Sequence, residues 1–141
     1  MDKMKFAIVG TIHQKGLEFL KDNGFEVLEV SDFNNQSLKD DLKFVDGILL
    51  RTFELGEDIL SHCTNLKIIS RHGVGYDNVD IDYLNRNKIA LGITSTSNAV
   101  SVAEHVMSFF IYLTKNLSLS DSLVKQGNFE RKSELPNFFE L

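Results

Sequence analysis

The 141-residue sequence has one cysteine, one proline and no tryptophan. Its lone thiol, Cys63, cannot close an internal disulfide or build a thiolate metal cluster by itself. Cys63 is therefore expected as a small core or boundary residue. Positive charge is also scarce: fifteen Lys and Arg face twenty Asp and Glu, for a formal net charge of −5. Without a basic block or stripe, a nucleic-acid partner is not expected. Long apolar runs are missing too. The longest, residues 106–113, is interrupted by Ser108 and falls far short of the ~20 residues that span a bilayer, so no membrane partner is expected. The opening MDKMKFAIVG has too short an apolar core for a signal peptide. His13, His62, His72 and His105 are scattered without metal-ligand spacing, and no metal site is expected. A soluble, cytoplasmic, single-domain protein is expected.

What is present is a regular alternation. Residues 5–10 (KFAIVG) form a near-continuous apolar run closed by glycine, as in a strand covered on both faces. A helical stretch follows over 13–23, with Leu17, Phe19 and Leu20 on one face, and Asn23-Gly24 stop it. Residues 25–30 (FEVLEV) alternate as a half-covered edge strand would. A short helix is expected over 37–44, carrying Leu38, Leu42 and Phe44. A third strand is expected over 45–50, a short helix over 56–62, a fourth strand over 66–70, a helical turn over 81–85 and a fifth strand over 88–93. Strand and helix alternating through short joints imply an α/β, doubly wound, five-stranded parallel sheet of the flavodoxin-like kind over residues 1–97.

The pattern then changes. Residues 100–115 read as one long helix, and Ser101 with Glu104 has the spacing of a capping box. Its middle is apolar nearly all round, where a surface helix keeps a polar face. A second helix is expected over 118–126, ending at Gly127. Residues 98–127 thus form a helical arm, and 128–141 a tail containing Pro136, Phe138 and Phe139.

In doubly wound sheets, ligands bind outside the carboxyl ends of the strands. The most informative such segment is Arg71-His72-Gly73-Val74-Gly75-Tyr76-Asp77-Asn78. Two glycines around one residue let backbone N–H groups converge on a carboxylate or phosphate oxygen, with Arg71 adding charge. The plain alternative is a strand-to-helix turn capped by Asp77 or Asn78. The segment is not a dinucleotide fingerprint, since Asn78 stands where G-x-G-x-x-G needs its third glycine. Arg51 closes another buried run. It can grip an anion through paired hydrogen bonds, or it can pair at the surface with Glu54 or Glu57. Adjacent strands would bring Arg51 and Arg71 to one rim. The segment 10–16 lacks the Lys-Ser/Thr of a phosphate loop, Glu104-His105 lacks zinc-protease spacing, and Asp46 begins its strand where a phospho-receiver needs an aspartate at the end.

Three landmarks in order carry a resemblance: LKIISRHGVGYDNVD at 66–80, NAVSVAEHV at 98–106 and GNFER at 127–131. They resemble the D-isomer-specific 2-hydroxyacid dehydrogenases, the phosphoglycerate dehydrogenase type in particular. The resemblance covers essentially the whole chain. It implies a substrate-binding domain joined by a long helix to an NAD-binding Rossmann domain. It further implies that Arg51 and Arg71 meet the substrate's anionic end, and that the Gly73, Val74 and Gly75 backbone holds its carboxylate. Asn98 would lie near the reacting centre, and Val74 and Val102 would approach the nicotinamide. One departure is Ser95-Thr96-Ser97, where the family commonly has Thr-Pro-Gly.

By the same resemblance, the cofactor fingerprint and the catalytic arginine, glutamate and histidine would come after residue 141. The chain is thus expected to be a substrate domain without a complete Rossmann domain. It would bind a small anionic 2-hydroxy or 2-oxo acid, hold no NAD alone and be inactive by itself. Two alternatives stand beside this: a dimeric interaction or regulatory module, and a half-enzyme completed in trans. The apolar arm, with Val106, Met107, Phe109, Phe110, Ile111 and Leu113, is expected to pair 98–127 of two copies into a homodimer.

Overall fold

The computed structural model describes residues 3–135 and 138–140. These form two compact units, Met1–Thr96 and Ser97–Leu141. The first holds β1 (Lys5–Val9), α1 (Gln14–Asp22), β2 (Glu26–Glu29), α2 (Asn35–Asp41), β3 (Gly47–Leu50), α3 (Glu57–Leu60), β4 (Ile68–Arg71), α4 (Ile81–Asn87) and β5 (Ala90–Ile93). All five strands are parallel, in the order β2-β1-β3-β4-β5. This is the doubly wound α/β sheet that the alternation implies, with β2 at one edge. The strand order reverses between β1 and β3, and a crevice opens at such a switch point outside the carboxyl ends.

The core explains why these short elements hold. Ala7, Val9, Ile48, Leu50 and Ile69 from the central strands pack with Leu38, Leu42, Leu55, Leu60 and Leu84. Each such fully buried aliphatic side chain contributes about 1.5–3 kcal/mol. Cys63 is buried among them, and burial pushes its thiol up to about 11. At the amino ends of the strands Asp46 works as a clamp. It accepts from Lys67 Nζ at 2.7 Å and from the Lys5 N–H at 2.9 Å, joining β1, β3 and β4.

Several expected details differ. Phe19 does not share the buried face of α1 with Leu17; it is 65% exposed. Helix α2 ends at Asp41, so Phe44 lies beyond it and is exposed. The helix begins earlier than expected because Asn34 caps it, accepting from the Ser37 N–H at 2.9 Å. Arg71 is the last residue of β4 and belongs to the ladder itself, as the register partner of Ile93. Neither Asp77 nor Asn78 caps α4; Asp80 does, accepting from the Tyr83 N–H at 2.8 Å.

The second unit contains α5 (Ala99–Thr114), α6 (Leu117–Lys125) and a 3-10 segment, Phe129–Glu134. Because α5 opens at Ala99, Ser101 lies inside its first turn and forms no capping box with Glu104; Asn98 precedes the helix without a side-chain cap. Asn116, at φ +47°, makes the joint to α6, a left-handed conformation that asparagine tolerates. The tail returns to α5 through Phe139, whose N–H donates to the Thr114 carbonyl and whose carbonyl accepts from Lys115 Nζ. None of the sixteen residues of α5 is buried. Pro136 lies outside the described residues, as does the side chain of Phe129.

Candidate functional site

The carboxyl ends of β1, β3 and β4 carry the residues singled out in the sequence. The pairing extends one step past the strands: Arg51 N–H donates to the Val9 carbonyl at 3.1 Å and His72 N–H to the Leu50 carbonyl at 2.7 Å. Arg51 is thereby seated beside Gly10. That glycine sits at φ +105°, and a side chain there would meet Arg51 Cβ at 3.0 Å, so the close approach needs glycine. One arm of the Arg51 guanidinium donates to the Thr11 carbonyl at 3.2 Å. A guanidinium has five N–H donors, so most remain available. Neither Glu54 nor Glu57 pairs with Arg51; Glu57 is taken by Arg86 at 2.8 Å.

A cleft of about 350 Å³ opens here, lined by Gly10, Thr11, Phe33, Arg51, Thr52 and Phe53. It lies at the switch point between β1 and β3, where the topology calls for a ligand.

The glycine loop beyond β4 is tied on both flanks, by His72 N–H to Leu50 and by Thr94 N–H to the Gly73 carbonyl at 3.1 Å. Gly73 has φ +155°, and a Cβ there would lie 1.3 Å from Arg71 Nη1. The Arg71 side chain is therefore laid across its own loop, and Nη1 donates to the His72 carbonyl at 2.7 Å. Its Nε is buried with no hydrogen-bond partner. The two arginines thus share a rim without sharing the cleft. Arg71 is level with Leu50, one register step before Arg51, and it is not among the residues lining the Arg51 cleft.

Within the loop the three amides are not equivalent. The Gly73 N–H is used by the Arg71 carbonyl at 2.9 Å. Those of Val74 and Gly75 donate to no acceptor among the described residues, and both residues are exposed. The open donors of the nest are therefore these two.

Asn98 and Val102 belong to the second unit, immediately before and within the first turns of α5. Sequence reasoning missed Phe33 as a site-forming residue, and it weighed Asn78 only as a helix cap at the end of the glycine loop. Phe33 stacks on Phe53, with ring centroids 5.9 Å apart, and Asn78 ties the loop after β3 to the glycine loop through the Phe53 carbonyl. The Asp-Phe-Asn turn before α2 was the available signal for the first; nothing local marks the second. His13 and His72, far apart in the chain, line one further cleft with Leu49, Ser70 and Thr94. Among the described residues no three His, Cys, Asp or Glu side chains converge as a metal site, and no helix is long and apolar enough to cross a membrane.

The sequence model of the D-isomer specific 2-hydroxyacid dehydrogenase catalytic domain matches residues 6–133. D-3-phosphoglycerate dehydrogenase of Archaeoglobus fulgidus is 28% identical over 130 residues, 92% of this chain and 25% of that protein. The enzyme of the same name from Sus scrofa is 28% identical over 116 residues, 82% of this chain and 22% of that protein. Among solved structures, D-lactate dehydrogenase of Aquifex aeolicus, complexed with NAD and lactic acid, has a TM-score of 0.73 at 26% identity, over 94% of this chain and 40% of that one. A Pyrococcus horikoshii protein reaches 0.85 at 22% identity, over 99% and 43%, a likeness of fold. The chain spans about a quarter of the length of these curated relatives and about two fifths of these solved chains. It belongs to the D-isomer specific 2-hydroxyacid dehydrogenase family.

Proposed function

We propose that this chain supplies the acid-gripping half of a 2-hydroxyacid dehydrogenase site. The observation that carries this reading is that the open amides of Val74 and Gly75, after β4, and the tethered guanidinium of Arg51, after β3, both stand at the carboxyl rim of the sheet. Amides and guanidinium suit the same ligand chemistry, a carboxylate. In this reading Gly73, Val74 and Gly75 form the carboxylate nest, Arg51 and Arg71 meet the acid's anionic end, and Asn98 is the further contact that family membership suggests. Residues 1–97 are the substrate-binding body, 98–127 the arm and 128–141 the tail.

The family's cofactor is a separate matter. The 141 residues contain no G-x-G-x-x-G, and the glycine loop does not open a helix, since α4 starts only at Ile81. These residues do not fit a dinucleotide cradle, and no step through NAD is assigned to them. Val74 and Val102, both apolar and about half exposed, are suited to lie against a nicotinamide held by another domain. The 141-residue chain by itself is expected to bind acid and not to turn over NADH. A cytoplasmic setting suits this reading, since dehydrogenation draws on the cell's soluble acids.

The arm supports a partner as well. Val106, Met107, Phe109, Phe110, Ile111 and Leu113 are each between 44% and 67% exposed on one helix, and clustered apolar exposure of this kind marks an interaction surface. A second copy, paired two-fold through α5, would cover it.

Calorimetric titration of the chain with 3-phosphoglycerate, 2-oxoglutarate and NADH tests the reading. Millimolar-range binding of an acid, weakened at least tenfold in Arg51→Ala, is the expected result. Appreciable NADH turnover by the pure chain would contradict it.

A further inference from the structure

The cleft beside Arg51 has a wall that gripping a carboxylate does not require. Phe33 and Phe53 stack there with ring planes inclined by only 29°, and both rings line the cleft. Phe33 comes from the loop after β2 and Phe53 from the loop after β3, so two loops of the rim meet through their rings. Phe53 is packed against the core, whereas Phe33 is 41% exposed.

The backbone on either side of the exposed ring is hydrogen-bonded. Asp32 Oδ1 accepts from the Asn34 N–H at 3.1 Å, and Asp32 Oδ2 accepts from Ser37 Oγ at 2.8 Å. Asn34 in turn caps α2. Phe33 is therefore bracketed by a hydrogen-bonded turn and a helix cap, so its backbone need not be ordered anew when a ligand packs on the ring.

Arg51 is the other group able to meet such a ligand. Its guanidinium is planar and can lie along an aromatic ring while its N–H edge stays available to a carboxylate. A phosphate dianion fits this cleft poorly. It would find one guanidinium, because Arg71 is folded onto its own loop, and it would lose water beside two rings.

We infer that the cleft takes the side chain of the acid, and that this side chain is an aryl group packed on the Phe33–Phe53 wall. The inference rests on the acid-gripping reading above and deepens it. The ligand class is an aryl-substituted 2-oxo or 2-hydroxy acid, and Phe33 is the residue that sets the preference.

Calorimetry of the 141-residue chain with phenylpyruvate, pyruvate and 3-phosphoglycerate tests this. Phenylpyruvate is expected to bind at least tenfold more tightly than either other acid. Phe33→Ser should bring phenylpyruvate to within about threefold of pyruvate, whereas Phe33→Tyr should keep the preference. Circular dichroism reports whether Phe33→Ser is folded, and Phe33→Leu, which keeps apolar area without a ring, should fall between. Pyruvate binding without a phenylpyruvate preference, tighter binding of 3-phosphoglycerate, or a preference unmoved by Phe33→Ser and Phe33→Leu would overturn the inference alone. Silence toward all three acids would overturn it together with the reading beneath it.

Discussion

The side-chain amide of Asn78 donates to the main-chain carbonyl of Phe53 at 2.6 Å, across 25 residues of chain. The Leu55 N–H returns to the Asn78 carbonyl at 2.9 Å, and the Asp80 N–H donates to the Leu55 carbonyl at 3.2 Å. With the single parallel bridge between Leu55 and Val79, these bonds lock the loop after β3 to the glycine loop after β4. The two rim segments are therefore tied to one another.

Asn78→Ala removes that tie and leaves a part-buried carbonyl without its donor. The expected cost is about 1–3 kcal/mol of stability, read from the midpoint of a urea titration. Acid affinity should fall as well, because Phe53 loses its anchor. Asn78→Asp should be no better, since a carboxylate cannot donate to the carbonyl.

Gly73→Ala meets two penalties of different kinds. The φ of +155° strains any L side chain, and the new methyl would fall on the Arg71 guanidinium. That guanidinium is the far end of a flexible side chain, so it can move aside. Stability should drop by about 1–2 kcal/mol from the backbone alone. Acid binding should weaken further by displacement of Arg71. In an Arg71→Ala background the added loss of binding should be smaller, which a four-member calorimetric cycle would read.

Asp46 carries the clearest pH dependence of the fold. The Lys67 ammonium, and after it the Lys5 N–H, hold its carboxyl below the ordinary value of 3.8. A depressed carboxylate stabilises the folded state fully above its unfolded value, and that contribution disappears as pH falls through the folded one. Asp46→Asn should cost about 1 kcal/mol at neutral pH, discounted for the exposed Lys67. The gap to the parent should close on acidification below 3.8, as thermal melts across that range would show. A gap that stays constant would count against the clamp.

The arm is tested by charge. Phe110→Asp puts a carboxylate on the half-exposed apolar stripe of α5. A paired arm should dissociate or precipitate, because the charge would be buried without a partner. Light scattering at micromolar concentration should report a dimer for the parent and not for the variant. A monomeric parent would remove the proposed pairing.

The architecture was legible because parallel strands announce themselves as short apolar runs separated by helical periods, and all five strands fall where KFAIVG, FEVLEV, VDGILL, LKIIS and KIALGI stand. Element ends were less legible. They depend on caps such as Asn34 and Asp80, whose side chains close turns that apolar spacing does not register. Phe19 and Phe44 misled for a related reason: hydrophobicity suggests burial, but both rings are exposed and the buried core of the first unit is made of aliphatic side chains and Cys63. At the site, Arg51, Arg71 and the glycine pair could be singled out from strand-end position. Phe33 could not, and neither could the tie that Asn78 makes, because both depend on Phe53, 20 and 25 residues away.

The central claim, that a small acid is held at the carboxyl rim by Arg51 and the amides of Val74 and Gly75, is tested most directly by titrating the ¹⁵N-labelled chain with phenylpyruvate and pyruvate and following backbone amide resonances. The largest shifts are expected at Gly10–Thr11, Arg51–Phe53 and Gly73–Gly75, with their loss in Arg51→Ala. Shifts gathered elsewhere in the chain, or none at saturating acid, would contradict it.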